Sequence, residues 1–141
     1  MIAAICERLR GNSALMALLT GGVYNGGLVH EISRQNTPAA FDANKEILPA
    51  ALVQMENETP VGPLRTSSSL YVVIYFYQRF GHETIQQAHL QTRILLDRVV
   101  LQPVEGGRNF EIRHANTLLG MNDQALNCAL AVSRYVCAMA R

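Results

Sequence analysis

Residues 70–77, Leu-Tyr-Val-Val-Ile-Tyr-Phe-Tyr, form an unbroken apolar and aromatic run closed by Gln78 and Arg79. Alternate residues of a strand point to opposite sides. Leu70, Val72, Ile74 and Phe76 would therefore make one apolar face, and Tyr71, Val73, Tyr75 and Tyr77 the other. Branched and aromatic side chains at this density favour strand over helix. Eight residues are also too few to cross a bilayer as a helix, which takes about 20. The pattern predicts a central sheet strand. Its tyrosine face needs burial for the rings and a polar outlet for the hydroxyls, which suits a second layer or a subunit contact.

The remaining pattern surrounds that strand. Ile2, Ile5, Cys6 and Leu9 recur at helical spacing from the N-terminus, and Ala, Leu and Met continue to Leu19 beyond a break at Gly11-Asn12-Ser13. The glycine pairs in TGGVYNGGL (20–28) stop the helix. From 20 to about 48 no period is sustained, although Val23, Tyr24, Leu28, Ile32, Phe41 and Ile47 offer anchors. So long a connection is expected to be functional, or ordered only by a neighbour. ALVQME (51–56) alternates as a strand and is expected to close at Pro60, Gly62 and Pro63. HETIQQAHLQTRILLDRVVL (82–101) reads as one helix, with Ile85, Ala88, Thr92, Leu95, Leu96 and Val99 as its buried stripe. NFEIRHA (109–115) alternates again. Past Gly120, Leu126, Cys128, Leu130, Val132, Val136 and Ala138 share one face of a final strand, with Arg134 out of pattern. The alanine content there also fits an amphipathic helix. The expected order is α–loop–β–β–α–β–β, an α+β fold with a mixed, mainly antiparallel sheet and helices packed on it. It is expected to make a single domain over 1–141, with strand 70–77 between strands near 51–56 and 125–139.

Charge alters the picture only locally. A net charge of +1 gives no electrostatic footprint for nucleic-acid binding. The charged fraction of 16% is low, which leans towards a component of an assembly. Between Asp42 and Glu58, four acids (Asp42, Glu46, Glu56, Glu58) face only Lys45, a local charge of −3. After Gly106, Arg108, Arg113, Arg134 and Arg141 outnumber Glu111 and Asp123, giving +2. Solvated surface explains both runs. Complementary faces on neighbouring copies would use Glu56 and Glu58 against Arg108 and Arg113, with Tyr71, Tyr75 and Tyr77 adding burial.

Candidate chemistry is sparse. His30, His82, His89 and His114 are the residues that would carry it. His82 and His89 share a helical face, yet HETIQQAH is not the HExxH of a zinc protease. Cys6, Cys128 and Cys137 are odd in number, lack CxxC spacing and sit among apolar neighbours, as small core residues do. The N-terminus lacks a cleavable signal layout, and no run is long enough to span a membrane. Cytoplasmic assembly is expected. No phosphate-cradling or nucleophile motif occurs, so the sequence implies no enzyme, cofactor or metal.

Several phrases also stand in a familiar order. A short helix leads to VYNGG, then a long loop with TPAAF and ILPAALVQME, then YVVIYFY running straight into a helix, and finally SRYVCAMAR. In this layout the chain resembles the tail terminator (tail completion) family of tailed bacteriophages, structural proteins of the head–tail neck. The likeness spans most of the chain without a single diagnostic motif. It implies an α+β subunit forming a ring, usually hexameric, that caps the tail tube and joins it to the head. Its partners would be further copies of itself, the tail tube protein and a head-side connector or closure protein, with DNA only in passage. It implies a place in the virion, no catalysis and no cofactor. A head-closure or adaptor protein of the neck would share these traits. A small hydrolase using His82, His89 or a cysteine, or another homo-oligomeric module, is the alternative from a different class.

Overall fold

A computed structural model describes the backbone of residues 1–61 and 67–140, and side chains for 1–56 and 70–138. Helices α1 (Ile2–Arg10) and α2 (Ser13–Leu18) open the chain, and the Asn12 side chain caps α2 by accepting from the Leu15 amide. Strand β1 (Gly22–Asn25), one helical turn α3 (Gly26–Val29) and a 3₁₀ turn (Pro38–Ala40) follow. Then come β2 (Ala50–Val61), β3 (Ser67–Gln78), α4 (Glu83–Leu96), β4 (Val99–Leu101), β5 (Phe110–Asp123) and β6 (Cys128–Ala140). One six-stranded sheet runs in the order β1-β2-β3-β6-β5-β4. Among the described residues only β1 pairs parallel, and the other strand pairs are antiparallel. The fold is α+β, with β3 in the centre between β2 and β6.

The two faces of β3 bury differently. Leu70, Val72, Ile74 and Phe76 join Ile5, Leu9, Leu15, Ile85 and Leu96 in the main core beneath α1, α2 and α4. Tyr77 belongs to a smaller cluster on the opposite face with Leu52, Ile32, Ala40, Ile47 and Cys128. The segment between 26 and 48 therefore forms a partial second layer. Ile32 and Ile47 anchor it, whereas Leu28 stands in solvent. The stretch 20–48, expected to be a loop that is functional or ordered only by a neighbour, instead holds strand β1, which pairs with Ala50–Val53, and rests on its own sheet.

Gly26 sits where that segment leaves the β1 edge, and a Cβ there would lie 2.8 Å from the Val53 carbonyl oxygen and closer still to Gln54. A strand backbone cannot yield as a flexible side-chain tip does. Gly26→Ala should therefore cost about 1–3 kcal/mol, the usual range for overpacking, read as a lowered thermal midpoint.

Other boundaries differ from the sequence reading. The helix expected over 82–101 ends at Leu96: Asp97 is extended, Arg98 adopts a left-handed φ of 58°, and Val99–Leu101 turns back to pair with Phe110–Ile112. Val99 and Val100 are branched and favour this strand, and Leu95 and Val99 are only partly buried. β2 runs through Pro60 to Val61, beyond the strand pairing of β1, so the missing amide donor falls on an edge. β5 extends past 115 to Asp123, with bulges between His114 and Asn116 and between Leu118 and Met121. Such bulges blunt an open edge. The C-terminal segment is strand.

Candidate assembly surface

The sheet face opposite the helices carries most of the residues that the sequence nominates for contacts. Cross-strand partners share a face, so the register assembles it in rows. Leu118, Val132, Tyr75 and Leu52 form one row; Met121, Leu130, Tyr77 and Ala50 form the next. Arg113 and Val136 stand beside Tyr71. The 26–48 layer covers the end holding Tyr77, which is buried and whose hydroxyl pKa is raised by that burial, with Asp123 adding to it. Across this face Val73 and Val132 are buried, Tyr71, Tyr75, Leu130 and Val136 are half-buried, and Leu118 and Met121 are exposed. The 26–48 layer packs with Leu52, Tyr75, Tyr77, Cys128 and Leu130, and Tyr71, Val136 and Leu118 lie outside that cluster.

The predicted charges are placed on or beside it. Arg134 Nε donates to Glu56 Oε2 at 3.1 Å, so Arg134, which breaks the apolar alternation of β6, forms a cross-sheet ion pair. Arg113 pairs with Glu111 on its own strand. Arg108 lies in the exposed turn between β4 and β5, where Gly106 and Gly107 take positive φ values of 89° and 106°. The Glu58 side chain is outside the described residues. Glu46, from the same acidic stretch, pairs with Arg79, and Asp42 accepts from the Asn44 and Glu46 amides. Glu56 and Arg113 thus have partners within the subunit already, and pairs this exposed contribute little, about 0–1 kcal/mol.

His30 is exposed at the end of α3, whereas His82, His89 and His114 sit on or beside the helix side. His89 is buried on α4, and among the described residues its Nδ1 and the buried oxygens of Thr92 and Tyr135 have no hydrogen-bond partner. His114 on β5 packs edge-on against the Tyr135 ring at 5.3 Å, and its Nε2 lies 2.7 Å from the Thr117 hydroxyl. Burial lowers the pKa of both histidines; His89 also feels His114 and Arg93, while Arg93 lowers and Asp97 raises that of His114. A depressed histidine pKa means that the folded state binds fewer protons than the unfolded chain. The stability is then full above the ordinary value of 6.5 and falls as pH drops through the interval between 6.5 and the lower folded values. Urea midpoints measured from pH 7.5 downward should decline over that window, and the His89→Gln/His114→Gln double variant should flatten the decline.

The thiols are all free and buried. Burial raises Cys6 to about 11 against an opposing Arg10, Cys128 to about 11 with Asp123 adding to it, and Cys137 to about 12. Such groups are not poised as thiolates. Two features escaped the sequence reading. Gln78 stands in the sequence as the polar end of the hydrophobic strand, yet its side chain caps α4 by accepting from the Thr84 and Ile85 amides. Leu118 and Met121 lie beyond the predicted end of their strand.

No family model matches the chain, and no curated protein matches it. Nine chains among solved structures match. One of them, from a structure titled "Virion of native gene transfer agent (GTA) particle", aligns with a TM-score of 0.56 and 15% identity, over 98% of this chain and 91% of that one. At this identity the likeness shows that the two chains share a fold.

Proposed function

We propose that this chain is a structural protein of a phage-type virion, and that its copies form a ring in the neck, ending the tail tube and joining it to the head while DNA passes through. The observation that carries this reading is the fold shared, over nearly the full length of both chains, with a chain of a gene transfer agent virion. The sequence layout supports the tail-terminator form of it. A head-closure protein is the neighbouring alternative. The hydrolase alternative loses its cysteine nucleophiles, since all three are buried with raised pKa values. Tyr71, Tyr75, Glu56, Glu58, Arg108 and Arg113 are the proposed contact residues, with Tyr77 supporting them from beneath the 26–48 layer.

The test is a particle made without this protein. We expect DNA-filled heads and separate tails, many of irregular length, when the lysate is viewed by electron microscopy. Tails of regular length beside unjoined heads would favour the head-closure role, and normal joined particles would end the neck reading.

A further inference from the structure

The seam where α4 meets β5 and β6 is polar, although it lies beside the main core. His89 and Thr92 stand one turn apart on the buried side of α4. Facing them, His114 and Tyr135 are cross-strand partners with ring centroids 5.3 Å apart. The bulge between His114 and Asn116 shifts the alternation of β5 by one, which brings Thr117 to the face of His114. The Thr117 hydroxyl lies 2.7 Å from His114 Nε2 and 3.0 Å from the Ser133 hydroxyl. A hydroxyl chain thus serves one histidine. The other, His89, is buried and has no protein partner at Nδ1 among the described residues.

We propose that this seam is an acid-operated latch. With both histidines neutral, α4 lies on β5 and β6; their protonation lifts residues 89–101 from the sheet while the central strands stay folded.

The charges around the pair set the direction. Arg93 follows His89 by one helical turn, where like charges repel, and it acts on both histidines. His114 acts on His89 from β5. Asp97 is the acid that acts on His114, but its Oδ1 already accepts from the His114 amide at 2.9 Å. From β6, Tyr135 stays neutral, because burial raises its pKa. From α1, Arg8 adds a cation where its Nε donates to the Leu95 carbonyl. Leu15 of α2 and Val72, Ile74 and Phe76 of β3, which share the core beneath α4, carry no charge. Protonation of both histidines therefore sets two positive charges in the seam, with Arg93 at its rim and one carboxylate against them. A buried charge without a partner is costly, so the latch is closed above the ordinary histidine value of 6.5 and opens below it.

Opening stays local because the lifted part is weakly held elsewhere. β4 is an edge strand of three residues, and its Val100 is 60% exposed. Arg98, at a left-handed φ of 58°, links it to α4. The first turn of α4 is fixed separately by the Gln78 cap and by buried Ile85. Edge elements with few buried contacts are the ones that open first.

The latch is a property of the single subunit and stands apart from the neck reading. Native-state hydrogen exchange, expressed as protection factors from pH 7.5 to about 5, tests it. Protection should fall first at the amides of 93–101, while those of Val72–Phe76 in β3 keep theirs. His89→Gln and His114→Gln should each shrink this acid step, and the double variant should lose it. His30→Gln, at an exposed position, should open as the wild type does. Equal loss in β3 and α4, no loss in either, or an unchanged step in the folded double variant overturns the latch. Should the double variant unfold at pH 7.5, an unchanged step in either single variant overturns it equally.

Discussion

Replacing Phe76 by alanine is expected to remove about 3–5 kcal/mol of stability, the range for deleting a buried aromatic ring. Phe76 is fully buried in the main core on the central strand. Its cross-strand neighbours are Ala51 on β2 and Ala131 on β6. These small residues make room for the ring, and neither has atoms to move into the space it would leave. The void should therefore stay open, placing the cost towards the upper end. Urea unfolding should show the midpoint falling with little change in slope. A loss under about 1 kcal/mol would mean that the helix layer closes over the site, against the close packing argued for it.

Gln78→Leu should be the next most damaging change, although sequence alone would rate it conservative at the end of an apolar run. Gln78 is 6% exposed, and its Oε1 accepts from the Thr84 and Ile85 amides, both at 3.0 Å, while Nε2 donates to the Phe80 carbonyl at 2.6 Å. His82, at the N-cap position of α4, makes no side-chain cap of its own. Leucine would leave first-turn amides of α4 without partners, and each buried orphan costs about 1–3 kcal/mol. A total on the order of 2–4 kcal/mol is expected, with amide exchange rising first in the opening turn of α4. Gln78→Glu keeps an acceptor for both amides but loses the donor to the Phe80 carbonyl and sets a carboxylate near Glu83, so it should recover only part of the loss. If Gln78→Leu melts with the wild type, the cap carries no weight.

The order of the main elements was legible because local pattern and tertiary role agree there. Alternation over 70–77 could be satisfied only by a strand buried on both sides, and β3 is that strand. The helix after Gly81 was legible for the same reason, since Ile85, Ala88, Thr92 and Leu96 repeat at its period and face one core. The reading failed where a long-range partner outweighs the period. Val99 extends the helical stripe of α4, but Phe110–Ile112 supplies strand pairing that a helix would forgo. The 26–48 segment shows no period because its anchors are single side chains, Ile32, Ala40 and Ile47, set into the tyrosine face of a sheet built elsewhere in the chain. Of the nominated contact residues, Tyr71, Tyr75, Glu56 and Arg113 do meet on or beside one face. The chain's charge pattern could not reveal that Arg134 and Glu111 already partner Glu56 and Arg113.

The α+β class and the central strand follow from residue type and from spacings of two to four positions, which any stretch of the chain carries locally. Which surfaces remain open follows from long-range packing. Whether Leu118 or Ile94 meets core or solvent depends on layers contributed from residues tens of positions away, and the cluster under the 26–48 layer does not include Leu118.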